Sequence, residues 1–411
     1  FLLIPYFFKE LGVKRFKDVS TIFIQVYFFS VIWLELARSG PLIPRFKLNP
    51  ALIFILSFVI IILTGTGLLM LPEMSNTVNG MGFLDALFTS SSATCVTGLM
   101  VVDTPVFFTF KGEVVLLILM KLGGLNIIAF GSFLALASKF GVGVKQHDVL
   151  EDFVNKGTVL SAKGMLRKVV LWSTGIELLG ALMMQIFWDE KIAFVNEGQK
   201  WFYSIFHSVS AFNNAGISLF SGGLGDPLVA DNYYIHWVVT ILVFFGALGM
   251  LAIFDLFDPG NLRGRMRNPW KRIGFPTKIA LYFSLGLVIA GSVLYYVLEI
   301  DNTLADMSLF GQVTTSVFQS VTRTSGFNTV DIGMVGIPML FIIIILMFIG
   351  SSSSSTGGGI KTSTFAIISA DIIATIRGYN YTELFQRTIP KLLVKRAYSV
   401  LLFFVVGNLL F

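Results

Sequence analysis

Apolar positions gather in long runs at 51–71, 113–138, 169–188, 235–257, 278–298, 337–350 with a continuation at 364–376, and 397–411. Their lengths lie near the roughly 20 residues that a helix needs to cross a hydrocarbon core. The pattern predicts several packed transmembrane helices joined by short loops. Between the first two runs lies 83–99, FLDALFTSSSATCVTGL, too short and too rich in Ser and Thr to cross, and similar segments sit at 200–218 and 309–329. These predict re-entrant elements. Non-helical backbone at membrane depth survives only where protein or a water-filled path satisfies its N–H and C=O groups, so such elements imply a pore or a binding cavity.

Charge supplies the topology, because cytoplasmic loops carry the Lys/Arg excess. Residues 139–170 hold Lys139, Lys145, Lys156, Lys163, Arg167 and Lys168, and residues 258–278 hold Arg263, Arg265, Arg267, Lys271, Arg272 and Lys278. Residues 351–396 hold Lys361, Arg377, Arg387, Lys391, Lys395 and Arg396. By contrast, no Lys or Arg lies between Lys47 and Lys111, only Lys191 and Lys200 lie in 189–231, and only Arg323 lies in 300–330. All three re-entrant segments are therefore expected to enter from outside, each between two helices whose far ends are cytoplasmic.

Superposing Gly98, Gly216 and Gly326, which are 118 and 110 residues apart, reveals a repeat. Six places before each stands a serine (Ser92, Ser210, Ser320), the preceding residue is small (Thr97, Ala215, Ser325), and the following one is large and apolar (Leu99, Ile217, Phe327). A fixed period in a constant context marks a repeat architecture. A fourth glycine is expected 110 to 118 residues after Gly326, beyond Phe411, so the last run reads as the first helix of a fourth unit. The opening Phe1, in place of Met, reads as a fragment edge. The expected fold class is an all-α polytopic membrane protein. Its repeats of helix, re-entrant loop and helix would span 50–140, 163–258 and 276–377, with a fourth beginning at 390–411 and an N-terminal extension at 1–49. That extension contains STIFIQVYFFSVIWLELA at 20–37, basic on both flanks, and suits a further spanning helix or an interfacial one.

Composition excludes other classes. Of 411 residues, 55% are hydrophobic and only 13% charged, with a mean hydropathy of +0.80, against roughly 25% charged residues in soluble domains. The net charge of +6 is spread along the chain and forms no single nucleic-acid patch. One cysteine, Cys95, excludes an intramolecular disulfide, and three scattered histidines give no metal-ligand spacing, so neither cofactor nor catalytic constellation is expected.

The chemistry lies in the turns. A short helix whose C-terminal end points to the membrane centre presents unpaired carbonyls and about half a negative charge there, which favours a cation. Several such loops around one axis can replace the hydration shell of an alkali ion with carbonyl oxygens. The filter segments would be Val96-Thr97-Gly98, Asn214-Ala215-Gly216 and Thr324-Ser325-Gly326, with glycine admitting positive φ and close approach to the axis. Any one of these glycines alone reads more readily as an ordinary turn residue; the three together do not. Asp103, Asp226 and Asp331 follow them and would either make an outer vestibule negative or cap helices. A second feature interrupts the third unit: after Gly350 come Ser351, Ser352, Ser353, Ser354, Ser355, Thr356, Gly357, Gly358 and Gly359, then Lys361. Interior glycines weaken a helix, and serine hydroxyls offer the backbone other partners. The sequence predicts a helix broken within the membrane, forming a loop below the filter that can change shape.

The segments TCVTGL, FNNAGIS and TRTSGFNT, together with SSSSSTGGGIKT, resemble those of the Trk/Ktr potassium-uptake superfamily, relatives of plant HKT transporters, over about residues 50–411. The resemblance implies four covalently joined helix, pore-loop, helix repeats around a pseudo-fourfold pore, with K+ held by backbone carbonyls of the filter glycines Gly98, Gly216 and Gly326. It implies that the 350–359 loop is an intramembrane gate. It also implies a homodimer in the lipid bilayer and a cytoplasmic ring of nucleotide-binding regulatory subunits. The sequence departs from the family pattern in its unbroken five-serine run and in Lys121, where the family more often has an uncharged polar residue.

Lys121 falls inside an apolar helix, where a charge is costly and needs a partner. Glu177, at comparable depth in the next unit, is the candidate, either tuning ion passage or holding the structure together. TGGGIKTST imitates a phosphate-binding loop, but Ile360 stands where that motif needs glycine before Lys361. A secondary transporter for sodium or a small solute, and a membrane nucleotide-binding enzyme, are the rival readings. Cys95, His207 and His236 are expected to pack or to hydrogen-bond structurally.

Overall fold

The computed structural model describes residues 50–77, 80–137, 162–268, 270 and 273–410. The expectations for 1–49 and for most of the 139–170 basic segment lie outside them. The chain divides into Phe1–Leu56 and Ser57–Phe411; the second contains everything that follows, apart from the first residues of α1.

The helices in chain order are α1 Pro50–Leu69, α2 Phe83–Thr94, α3 Phe110–Ala137, α4 Ala162–Phe187, α5 Glu197–Phe212, α6 Tyr233–Leu248, α7 Met250–Phe257 and α8 Pro259–Arg267. They continue as α9 Phe275–Glu299, α10 Leu309–Val321, α11 Ile337–Phe348, α12 Thr362–Ile376 and α13 Lys391–Leu410. Among the described residues, five helices are long and apolar enough to span a membrane, over Leu52–Leu69, Phe110–Ser132, Gly164–Phe187, Phe275–Glu299 and Lys391–Leu410. The protein is a multi-pass membrane protein. Helix starts follow from local chemistry. Proline occupies the first turn of α9 and α11, where its missing N–H has no partner to lose. Asn196 and Ser308 cap the short helices α5 and α10 by accepting from Gln199 N and Gly311 N.

Two features depart from the apolar pattern. The run 235–257, read as one span, is broken between α6 and α7 by a bend of 101°. Gly249 makes the break with φ 87° and ψ 144°, a conformation closed to side chains with a Cβ. The freed backbone is bonded by the serine loop: Ser352 N donates to Ala247 O (3.0 Å) and Met250 N to Ser354 O (3.1 Å). The second departure is a small hairpin before α13. Strand β1 (Thr382–Leu384) pairs antiparallel with β2 (Arg387–Ile389), through Phe385 and Gln386, both at positive φ. A two-residue turn of that hand matches strand twist.

The short helices are seated by one contact repeated three times. Ser90, Ser208 and Ser320 donate to the carbonyls of Ile62, Glu177 and Val288 at 2.6–2.9 Å. Three residues beyond each carbonyl lies a glycine, Gly65, Gly180 and Gly291, whose missing Cβ leaves room for that serine and for Leu119, Leu242 and Leu346 respectively. The serines making this contact differ in two cases from those equidistant from the turn glycines: Ser92 Oγ has no partner, and Ser210 donates to Ile217 O (2.7 Å). The third turn is thus two residues shorter. A Cβ at Gly180 would lie 2.6 Å from Leu242 Cδ1, whereas one at Gly175 on the same helix meets nothing within 4 Å. Gly180→Val should therefore lower the thermal midpoint of the detergent-purified protein by several degrees, as overpacking of about 1–3 kcal/mol does. Gly175→Val should leave it unchanged.

On the basic side, Lys168 at the start of α4 pairs with Asp258 at the head of α8 (3.2 Å), and Arg265 with Asp255 (2.6 Å). Two basic segments of the sequence therefore meet.

Candidate functional site

Helices α2 and α5 end alike. After α2 the chain turns at Val96 (φ 58°), and Thr97 N reaches back to Ser92 O (2.8 Å). After α5 it turns at Asn214 (φ 58°), with Asn214 N on Ala211 O (3.0 Å) and Ala215 N on Ser210 O (2.8 Å). This is the left-handed cap that ordinarily uses glycine. Asparagine tolerates it, but a β-branched valine is a genuine outlier there, and such strain persists where surrounding structure imposes it. Helix α10 ends differently, in a 3-10 turn over Thr322–Thr324, after which Ser325 is extended (φ −126°, ψ 158°). Buried Arg323 donates to Ser320 O (2.8 Å) and sets a positive charge near the end of that helix.

The three glycine turns meet at one place. Gly98 and Gly216 have φ of 84° and 72°, and a Cβ at Gly326 would lie 3.1 Å from Gly98 Cα and 3.4 Å from Gly216 Cα. Three segments separated by more than a hundred residues in sequence therefore bring backbone, and no side chain, to a common point. Behind them, glycines of the following helices admit the carbonyl ends of the short helices. A Cβ at Gly123 would lie 3.0 Å from Thr94 Cα, and one at Gly246 3.0 Å from Phe212 C.

The serine and glycine loop lies directly against these ends. Helix α11 stops at Phe348 and α12 starts at Thr362. Between them the loop closes on itself through Gly350 N to Ile360 O (2.9 Å), Ser351 N to Gly358 O (3.1 Å) and Thr362 N to Ser351 O (3.0 Å). Lys361 turns inward and donates to Gly357 O (2.8 Å). Ser355 donates to Ser352 O. Thr356 Oγ1 accepts from Asn214 Nδ2 (3.0 Å) and lies within reach of Phe212 O (3.4 Å) and Gly246 O (3.5 Å). A Cβ on Gly357 would lie 3.3 Å from Thr324 Oγ1. The loop thus touches the turn segments of two units.

Lys121 and Glu177 form an ion pair (2.6 Å) with side-chain exposures of 21% and 5%. Lys121 also donates to Ser173 Oγ (3.1 Å), and Glu177 Oε1 accepts from Asn213 Nδ2 (3.0 Å). Asn213 is the residue before Asn214, so the pair supports the second turn from behind. Asp226 accepts from Gly222 N and Leu228 N, and Asp331 from Gly333 N, so both cap loops; Asp103 makes no such bond. His207 is buried and bonded to Tyr203 O (2.8 Å) and Ser218 Oγ (3.0 Å), and His236 packs against Tyr233 and Phe318. Cys95, expected to pack, is exposed at the end of α2. Among the described residues, no group of three or more His, Cys, Asp or Glu side chains could hold a metal.

Sequence reasoning missed Asn213, the seating glycines and Gly249. The seating contact does leave a signal, Leu-x-x-x-Gly, in Leu119/Gly123, Leu242/Gly246 and Leu346/Gly350.

The family described as TrkH, cation transport protein, matches residues 16–411. The Ktr system potassium uptake protein B of Bacillus subtilis (strain 168) is 34% identical over 361 residues, 86% of this chain and 77% of that protein. Its namesake in Vibrio alginolyticus is 33% identical over 344 residues (82% and 72%). The potassium/sodium uptake protein NtpJ of Enterococcus hirae is 31% identical over 369 residues (89% and 78%). The crystal structure of the potassium transporter TrkH from Vibrio parahaemolyticus shares the fold, with a TM-score of 0.62 at 17% identity, covering 85% of this chain and 69% of that one.

Proposed function

The chain belongs to the TrkH family of cation transport proteins, and from that premise we propose that it takes up potassium, passing the ion down its electrochemical gradient through a filter of backbone carbonyls. The observation that carries this reading is the meeting of Gly98, Gly216 and Gly326 at the ends of short helices. Carbonyl oxygens at such ends, with their partial negative charge, are the groups that can stand in for the water around K+. Val96, Thr97, Asn214, Ala215, Thr324 and Ser325 supply the remaining filter backbone. Asp103, Asp226 and Asp331 would add negative potential outside.

In this reading the loop Gly350–Gly359 is the gate, since it lies against the turns through Thr356 and Gly357. The wider filter is built from four repeats, and the protein works as a homodimer with a cytoplasmic nucleotide-binding subunit that moves the gate. The likeness to a protein named for potassium and sodium favours a second reading, in which sodium also passes. Paired flux of the two ions in liposomes containing the full-length protein separates them. Potassium flux well above sodium flux is expected, and equal fluxes would reject a selective filter. Shortening 350–359 should raise potassium flux; an unaltered flux would remove the gate.

A further inference from the structure

We propose that Thr356 is a positioning residue for the second filter segment, so that the same side chain that belongs to the gate loop also fixes selectivity. The inference rests on the filter and gate reading above and names a link within it.

Asn214 is fully buried and held at φ 58°. Asparagine usually tolerates that conformation through bonds to nearby backbone. Here its approaches to Phe212 O and Val243 O are both at 3.5 Å, and its short bond, 3.0 Å, goes to Thr356, 142 residues farther along the chain. The threonine hydroxyl has one proton and two acceptor positions. Accepting from Asn214 leaves that proton for Phe212 O or Gly246 O, the last carbonyl of α5 and a carbonyl of α6. One hydroxyl thus ties together a filter segment, a short-helix end and the helix behind it.

Among the described residues the arrangement belongs to the second unit alone. At the corresponding left-handed position of the first unit, Val96 has no group to bond, and Thr324 of the third lies in a 3-10 turn. The loop carrying Thr356 is also sewn into the break at Gly249 by Ser352 and Ser354. Displacing it therefore withdraws the short bond of a buried amide and leaves only the two 3.5 Å approaches, and a buried donor poorly satisfied is costly. Asn214 would have to seek another acceptor, and the turn it anchors would shift with it. Opening of the loop and the geometry of the filter change together.

Four variants of the full-length protein, among them Asn214→Ala alone, test this in liposomes, with size-exclusion elution as the check on folding. Thr356→Val keeps the branched shape and removes the hydroxyl, and should change the potassium to sodium flux ratio by roughly three- to tenfold, the range of one hydrogen bond. Thr356→Ser should keep the wild-type ratio. Thr356→Val combined with Asn214→Ala should change it no more than the larger single effect, since both remove one contact. A wild-type ratio in Thr356→Val, a serine variant as altered as the valine one, or additive effects would overturn the proposal. Should Thr356→Val elute as aggregate, Thr356→Ala carries the same expectation. Gly216→Ser tells the two levels apart. If it lowers selectivity while Thr356→Val does not, the filter stands and this link falls; if Gly216→Ser leaves selectivity intact, both fall.

Discussion

Gly216→Ser should bring the potassium to sodium flux ratio close to one, a larger loss than the same change at Gly98 or Gly326. The ranking comes from the backbone. Gly216 has φ 72°, and a Cβ there would run into the backbone of Gly326 at its N, Cα and C atoms. A side chain costs roughly 1–2 kcal/mol in the left-handed region on conformation alone. The collision must then be relieved by moving one of the two turns. Gly98 shares the positive φ, and a Cβ there would collide with one backbone atom, Ala215 O, while lying 3.0 Å from Gly326 Cα, so a smaller part of the neighbouring turn has to move. Gly326 is not in the left-handed region, so only crowding opposes a Cβ there. Carbonyls that must sit at matched distances from a dehydrated ion cannot absorb such a shift without losing their preference for one ionic size or field strength. Paired flux assays on the three serine variants give the order directly. Wild-type selectivity in Gly216→Ser would remove the turns from the ion path.

What the sequence makes legible, and what it hides, follows from which residues carry a local signature. The turn glycines stand out because a glycine after a polar, serine-rich short segment contrasts with the apolar runs on either side. The loop at 350–359 stands out for the same reason. Gly249 does not, because it sits in a run where every neighbour from Val238 to Phe254 other than Thr240 is apolar or glycine. Hydropathy registers that span as continuous, and only the ψ of 144° at Gly249 and the serine backbone bonded into the gap reveal the bend. The hairpin at 382–389 was hidden in turn by Phe385 and Gln386, which occupy a turn usually marked by Asn-Gly or Asp-Gly. Counting back from the turn glycines pairs Ser320 with Ser92 and Ser210, yet its contact partner is matched by Ser90 and Ser208. The third turn lacks the left-handed residue of the other two and is correspondingly shorter. Residue spacing cannot register a change in turn type. Cys95 misled because a thiol in a Ser/Thr-rich segment reads as buried filling, while as the residue capping α2 it is exposed.

Glu177→Ala should be the most damaging single change among the charged residues, felt in folding before selectivity. The carboxylate is 5% exposed and bonds both Lys121 Nζ and Asn213 Nδ2. Its removal leaves a lysine inside an apolar helix whose remaining bond is the one to Ser173. Breaking a buried pair in this way costs about 3–5 kcal/mol, most of it the burden of the uncompensated charge. A marginally stable protein has only about 5–15 kcal/mol to lose. Glu177→Ala is therefore expected to fall to a small fraction of wild-type yield in size-exclusion fractions from detergent. The same logic makes the double variant Lys121→Met with Glu177→Leu much better folded than Glu177→Ala, since replacing both charges by apolar groups of similar size removes the desolvation burden along with the attraction. Asn213 distinguishes a supporting role from a merely structural one. In the double variant its amide has lost Glu177 and keeps Val209 O (2.8 Å), so the second turn is held on one side only. The double variant should recover its yield yet transport potassium with reduced preference over sodium. Wild-type yield of Glu177→Ala would show that Lys121 finds water or lipid headgroups without its partner, and full selectivity in the folded double variant would confine the pair to assembly.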